Sequence, residues 1–504
     1  MLPAVNRKLL LGLEVLGSWP IVMLAGVLHT ASFAPGLAWP LQLLALAMLA
    51  HASWDETPGR AARQGLLFGL GWLGSGLWWL YISLHDFGHL PGLLACAAVL
   101  LLALFLSLYY AAALALAAWL RDRRPAMQAL IWASCWLVAE LARAQFLTGF
   151  PWIASGYAHA LGPLSHWAPW IGVYGLCALV GLFAAGVAAA LRGSGRVLML
   201  VLLLIVGGRL FLPLQFTEAT GKLRVSLLQP NVPQDQKFDA ELMESNLEKL
   251  VTQIESARGQ LVVTPESVVP LPMDWLLERY PQQVERLKRA ADKHPLLLGT
   301  FLGNERVGFV NSLLALGTAQ PYDYGKRHLL PFGETIPTGF AWFVHALGIP
   351  MDDQGRGQHQ RALEIAGQRV RPLICYEDLF GEDFVESVQS GPDSATLLLN
   401  VSNLAWFGPA MVQDQHLQFS QMRALEFQRP FIRSTNTGAT AVINHYGRVI
   451  ARLPAEMRDL LEVEVEGRRG ATPYARWLAA VGLWPLWLLA LLPLVLAWRR
   501  RRAR

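Results

Sequence analysis

A thiol, a carboxylate and an ammonium in the more polar part of this chain could together carry an acyl group through a covalent intermediate. Cys375 supplies the nucleophile. A free thiol titrates near about 8.5, so at neutral pH it needs a base or a nearby cation to become a thiolate. Glu266 can accept that proton and later take one from an incoming amine. Lys326, in Tyr324-Gly325-Lys326-Arg327-His328, can hold its charge where a tetrahedral oxyanion develops, alongside a backbone amide after the nucleophile. His328 and His416 keep a Cys-His pairing open as an alternative. Taken singly, each residue also has a plainer reading: a packed thiol, a glutamate at a turn or helix start after Pro265, and a solvated lysine before a loop.

The elements around these residues favour the chemical reading. Glu266 follows the run Leu261-Val262-Val263-Thr264, Cys375 ends Pro372-Leu373-Ile374, and Asn403 follows Asn400-Val401-Ser402. Buried strands are expected at 223–229, 261–264, 296–301, 312–316, 370–375, 396–401, 431–435 and 439–443, from their apolar, β-branched composition. Amphipathic helices are expected at 240–257, 274–293, 378–389 and 413–428. Their alternation predicts an α/β domain of sheets covered by helices. In open α/β sheets, side chains at the carboxyl ends of strands converge on a ligand crevice.

That domain is inserted in a membrane protein. Of 504 residues, 54% are hydrophobic and 16% charged, with a mean hydropathy of +0.34, which argues against a purely soluble chain. A bilayer core needs roughly 20 apolar residues per helix. Spans are read at 9–29, 34–52, 64–84, 91–120, 127–147, 168–191, 196–214 and 477–498. The predicted organisation is a seven-helix transmembrane region over 1–215, a catalytic domain over 220–468, a final helix over 475–498 and a basic tail over 499–504. Arg7 and Lys8, Arg60 and Arg63, Arg121, Arg123 and Arg124, and Arg192 with Arg196 mark every second connection as cytoplasmic. The large domain then lies outside the cytoplasm. A cleaved signal peptide is the alternative reading of the first span. Within the fifth span, Glu140 and Arg143 share a helix face; a structural ion pair and a lipid-headgroup site are both open.

Other function classes fall away on composition. The formal charge of +5 and pI near 9.1 come from arginines beside apolar runs, which points to membrane orientation rather than nucleic acid. Cys96, Cys135 and Cys177 lie in apolar runs, so the polar domain cannot form an internal disulfide. No Cys/His set has zinc spacing and no Gly-rich loop precedes a Lys-Ser/Thr pair, so no metal, nucleotide or other cofactor is expected.

Several motifs in fixed order resemble the nitrilase superfamily: Thr264-Pro265-Glu266-Ser267, Lys326-Arg327-His328-Leu329-Leu330-Pro331-Phe332-Gly333-Glu334, Ile374-Cys375-Tyr376-Glu377-Asp378 and Ser402-Asn403-Leu404-Ala405-Trp406-Phe407-Gly408. More narrowly, the chain resembles the apolipoprotein N-acyltransferase family over nearly its whole length. Gln229-Pro230-Asn231-Val232-Pro233-Gln234 and Arg433-Ser434-Thr435-Asn436-Thr437-Gly438 extend the likeness.

The resemblance implies a nitrilase-like αββα sandwich, with Glu266 as general base, Lys326 as oxyanion stabiliser and Cys375 as acyl carrier. Glu334 would be a second carboxylate supporting them, with Tyr376, Glu377 and Asn403 shaping the site. It also implies a bacterial inner-membrane enzyme whose domain faces the periplasm. The sn-1 acyl chain of a membrane phospholipid would pass to the cysteine, then to the α-amine of a diacylglyceryl-apolipoprotein. A monomer is expected. Leu404 stands where many members carry Asp, which puts a carboxylate role there in doubt. Phe238 stands where some carry Trp, which keeps an aromatic face against lipid.

A thioester shared in turn by two lipidic substrates must be shielded from water, so apolar cover is expected. Phe340, Trp342, Phe343, Leu347, Ile349 and Met351 are candidates, with Trp406 and Phe407; an ordinary core helix is the other reading of that stretch. Two rivals remain: a membrane-tethered amidase that gives its thioester to water, and a transporter or receptor whose outer domain only binds.

Overall fold

Successive side chains of a strand face opposite ways, and in the polar region alternate residues join two different cores. Leu261, Val263 and Leu297 face inward and pack with Leu223, Val370, Ile374, Leu399 and Val401 in one core. Val262, Leu296 and Leu298 turn outward into a second core with Leu247, Leu250, Val284 and Leu287. Strands buried on both faces thus lie between a facing sheet and a layer of helices.

The structure is a computed structural model that describes residues 18–33, 38–304, 306, 308–336, 339 and 354–503. One unit comprises Ile82–His89 and Gln215–Ala480. Its strands are β1 Thr217–Gln229, β2 Leu261–Val263, β3 Leu296–Asn304, β4 Gly308–Leu316, β5 Asp323–Gly325, β6 Leu363–Ile365, β7 Gln368–Ile374, β8 Leu397–Ser402, β9 Phe431–Thr435, β10 Ala441–Ile443, β11 Val449–Arg452 and β12 Asp459–Gly470. They form two sheets, ordered β12-β1-β2-β3-β4-β5 and β11-β10-β9-β8-β7-β6. In the first, β1, β2 and β3 run parallel; in the second, β7, β8 and β9 do. Helices Met243–Glu255 and Pro281–Lys293 cover the first sheet, and Val412–Phe427 packs on β9 and β10 of the second. This is the expected αββα sandwich.

Three helical expectations need correction. The segment 274–293 is two helices, Met273–Arg279 and Pro281–Lys293, because Pro281 cannot continue a preceding helix and starts a new one instead. The segment 378–389 is a chain of short 3₁₀ turns, Cys375–Leu379, Gly381–Asp383 and Val385–Val388. There the Glu377 carboxylate turns back onto the Ile374 N–H, tightening the backbone away from a regular helix. Finally, Val412–Phe427 is buried on every side rather than amphipathic. Its polar groups find partners inside, among them Arg423 with Glu426 at 2.9 Å.

The other unit comprises Met1–Tyr81, Leu90–Leu214 and Val481–Arg504. Among the described residues, three helices are long and apolar enough to cross a membrane, Gly92–Trp119, Pro125–Thr148 and Ser165–Ala190, or up to five if two broken helix pairs each count as one span. Along Gly92–Trp119 the surface splits cleanly. Ala95, Ala103, Leu106, Tyr110 and Ala113 are buried, whereas Leu93, Leu100, Leu104 and Leu108 are exposed. Small residues facing the bundle and leucines facing out suit a lipid solvent. Close approach is built in as well: a Cβ on Gly26 or Gly71 would lie 2.1 Å from a backbone oxygen of the facing helix.

Glu140 and Arg143 pair at 3.0 Å with neither side chain exposed. The guanidinium also donates to the carbonyls of Phe150 (3.0 Å) and Trp152 (2.8 Å), and Glu140 accepts from the Ser155 N–H at 3.1 Å. These partners all belong to the chain, which favours the structural role over a headgroup site. Removing one partner of such a pair leaves an uncompensated buried charge. Arg143→Met is therefore expected to cost about 3 kcal/mol, read as a lowered thermal midpoint in detergent. An unchanged midpoint would mean the pair is dispensable.

Candidate active site

Three strand ends deliver the functional side chains. β2 is followed by Thr264, whose hydroxyl accepts from the Gly299 N–H at 2.9 Å, and Glu266 comes next in the turn after Pro265. Ser267 has φ +44°, so the carboxylate is presented from a sharply turned backbone. Lys326 follows β5 and extends its pairing by donating its N–H to the Asn311 carbonyl at 2.8 Å. Cys375 follows β7 with φ +52°, an uncommon conformation for a residue with a Cβ and one that sites of chemistry often hold.

The Lys326 ammonium joins two carboxylates. Its Nζ lies 2.7 Å from Glu334 Oε1 and 3.3 Å from Glu266 Oε1. Asn311 Nδ2 donates to Glu266 Oε1 at 2.8 Å and to Glu334 Oε1 at 3.4 Å. Glu266 Oε2 accepts from the Asn403 backbone N–H at 2.9 Å, and Glu334 Oε2 from the Leu330 N–H at 2.8 Å. Burial would raise the Glu266 carboxyl, but the Lys326 charge, the Asn403 N–H, Lys237 and Asn311 together hold it below its usual range. Burial would lower Lys326, yet Glu266, Glu334 and Cys375 hold it well above the ordinary lysine value. The half-buried Cys375 thiol is pushed well up, first by burial and then by Glu266, with Lys326 opposing. The resting centre is therefore a thiol beside a carboxylate and an ammonium.

Glu377 ties the nucleophile turn to the lysine loop. One carboxylate oxygen accepts from the backbone N–H groups of Arg327 (2.7 Å) and His328 (3.2 Å). The other accepts from the Ile374 N–H and the Tyr324 hydroxyl, each at 2.7 Å. An amide offers one accepting oxygen and turns its NH₂ against donors. Glu377→Gln is thus expected to lower turnover about 10- to 100-fold through misplacement of Lys326 relative to Cys375. Initial rates alongside a melting curve check this, and wild-type rates would refute the tie.

Both histidines have partners other than the thiol. His328 stacks on Phe380 at 3.5 Å between centroids and reaches Asp383 at 2.8 Å. His416 Nε2 meets the Cys375 carbonyl oxygen at 3.1 Å, and Asn400 Nδ2 donates to the same oxygen at 2.9 Å. Arg433 Nη2 lies 2.6 Å from His416 Nδ1; a guanidinium only donates, so the imidazole carries its hydrogen on Nε2. His416 thus grips the backbone of the nucleophile turn.

The remaining residues singled out in the sequence fall in different places. Tyr376 is buried against Phe380 and His328. Asn403 gives its N–H to Glu266, while its side chain joins Gln234 and Asn436. Phe238 is exposed and faces Trp406 at 6.3 Å, and Trp406 meets Phe87 at 5.7 Å. Leu404 is wholly buried. Trp342 and Phe343, with Phe340, Leu347, Ile349 and Met351, lie outside the described residues. Asn311, Asn400 and Lys237 escaped sequence reasoning; two are strand residues of ordinary appearance, and Lys237 carried no signal beyond its place before Phe238.

An αββα sandwich with Glu, Lys and Cys at strand ends is carbon-nitrogen hydrolase architecture, here joined to helices apolar enough to span a membrane. The comparisons agree: a carbon-nitrogen hydrolase family matches residues 224–474, and the apolipoprotein N-acyltransferase N-terminal domain matches residues 25–186. An apolipoprotein N-acyltransferase of Ralstonia nicotianae is 42% identical, covering 96% of this chain and 94% of its own. One of Verminephrobacter eiseniae is 42% identical (92% and 93% covered), and one of Nitrosomonas europaea 39% (90% and 92%). The chain belongs to the apolipoprotein N-acyltransferase family.

Proposed function

We propose that this chain N-acylates lipoproteins in two half-reactions that share a thioester on Cys375. In the first, Sγ attacks the sn-1 ester carbonyl of a membrane phospholipid while its proton passes to Glu266. The tetrahedral oxyanion forms beside Lys326, and collapse expels the glycerol oxygen, which takes the proton from Glu266 and leaves as lysophospholipid. In the second, the α-amine of an S-diacylglyceryl-cysteine attacks the thioester carbonyl. Glu266 removes the amine proton and returns it to the departing sulfur, completing the amide. Charge moves between the carboxylate and the carbonyl oxygen, with one fixed cation close to both.

The observation that carries this reading is the buried ammonium of Lys326 bonded to Glu266 and Glu334, whose charges all act on the Cys375 thiol. Glu334 neutralises the lysine's excess charge and aims it, and Tyr376, Glu377 and Asn403 hold the surrounding turns. Phe238 and Trp406, with Trp342 and Phe343, take the acyl chains. The catalytic domain is assigned to 220–468, between a seven-helix region over 1–215 and a final helix over 475–498 with its basic tail over 499–504. The alternation of basic connections supports an inner-membrane protein with this domain in the periplasm, working as a monomer.

The test supplies phospholipid labelled in its sn-1 chain and a diacylglyceryl peptide to the full chain. Lysophospholipid and acylated peptide should appear in equal amounts. Label recovered as free fatty acid, with the peptide unchanged, would instead identify a hydrolase.

A further inference from the structure

A second buried lysine stands beside the centre and lacks what Lys326 has. Lys237 is 4% exposed. Its Nζ donates to Ser267 Oγ at 2.8 Å and to the Glu266 carbonyl oxygen at 3.4 Å, both neutral acceptors. An ammonium has three N–H groups; among the described residues the third meets no oxygen or nitrogen acceptor, only the Phe238 ring with its centroid 6.0 Å away, and no carboxylate there pairs with it. A buried cation so placed is costly unless a counter-charge arrives. Burial pushes Lys237 down to about 8 despite the pull of Glu266 and Cys375, which is consistent with a cation short of partners.

Gln234 lies three residues earlier on the same helical turn, Gln234–Lys237, and residues so spaced share a face. It is 5% exposed, its Oε1 accepts from Asn403 Nδ2 at 2.8 Å, and its Nε2 has no partner among the described residues. Two buried donors therefore stand unfilled against Glu266, the proposed base, and Asn403, whose backbone N–H binds it. Beside them Phe238 and Trp406 form an apolar rim.

We propose that Gln234 and Lys237 form a subsite for the phosphodiester of the donor lipid. This rests on the thioester reading above. A phospholipid that brings its sn-1 ester to Cys375 carries its phosphate on the same glycerol, so an anion must lie near the thiol during the first half-reaction. The acceptor amine of the second half-reaction brings no such charge. The subsite thus discriminates a phosphate-bearing donor from a neutral ester.

The experiment compares kcat/KM for phosphatidylglycerol with that for p-nitrophenyl palmitate, an acyl ester without phosphate, in one detergent. Lys237→Met removes the charge at similar length. Gln234→Glu keeps the oxygen that accepts from Asn403 and sets a second oxygen where the free amide was. Each should lower the phospholipid-to-ester ratio by about tenfold or more, and Lys237→Arg should largely retain it. Proportional losses with both donors would overturn the subsite, leaving Lys237 to fix the Glu266 turn, and so would an unmoved ratio. Should Lys237→Met fail to fold, the near-isosteric Gln234→Glu decides alone. Wild type that forms no acyl-Cys375 with either donor would defeat the thioester reading itself; acyl-Cys375 with an unmoved ratio defeats only the subsite.

Discussion

Cys375→Ala is expected to abolish peptide acylation, lowering the rate by about 10⁴-fold or more, because the covalent route loses its only carrier. The alternatives are poor. Direct attack of an amine on a phospholipid ester would need both lipidic substrates in the site together and would lose the entropic advantage of a tethered acyl group. The fold should be little affected. Cys375 is half-buried at a strained backbone angle of +52°, and its carbonyl grips on Asn400 and His416 do not depend on sulfur. A melting curve close to wild type with no N-acyl peptide by mass spectrometry is the expected pair of results. Full activity in the variant would leave only a binding or transport role for the domain.

Lys326→Met should be almost as damaging, and for a different reason. The variant keeps the thiol and the base but leaves Glu266 and Glu334, both bonded to the same ammonium in the native centre, facing each other across an apolar side chain. Two buried carboxylates cannot both stay charged there, so one takes up a proton. Loss of the cation also removes the stabilisation of the oxyanion, expected to cost about 10²- to 10³-fold in turnover. Breaking a buried pair adds about 3–5 kcal/mol of destabilisation. Rates and thermal midpoint should therefore fall together, whereas in Cys375→Ala only the rate falls. A Lys326→Met protein that melts and turns over like wild type would remove the lysine from the centre.

The contrast between the two variants reflects how differently their positions could be read from sequence. Cys375, Glu266 and Asn403 each follow an apolar run that is visibly a strand, and sheets covered by helices follow from such runs alternating with helices, whereas the αββα sandwich was implied only by the family resemblance. Lys326 was legible only through its flanking motif, since β5 is three residues long and gives no period to read. β12 was missed although Leu461, Val463 and Val465 alternate with Glu462 and Glu464, a strand pattern with one polar face. The bonds that set the site's geometry were not legible at all. Glu377 reaches 50 residues back to the Arg327 N–H, Asn403 reaches 137 back to Glu266, and such pairings exist only once both sheets have assembled. Helix 413–428 misled by composition: glutamines, a histidine and an arginine suggest a wet face, yet inside the fold Arg433 and Asp378 meet His416, Glu426 meets Arg423 and the Gly447 carbonyl accepts from Gln421.

The most direct measurement is the intact mass of the full chain after incubation with phospholipid and no acceptor. The account predicts a mass increase of one fatty acyl group, absent in Cys375→Ala, that disappears when a diacylglyceryl peptide is added as the peptide gains the same mass. An unmodified chain that nevertheless acylates the peptide, or an acyl group that persists on another residue, would contradict it.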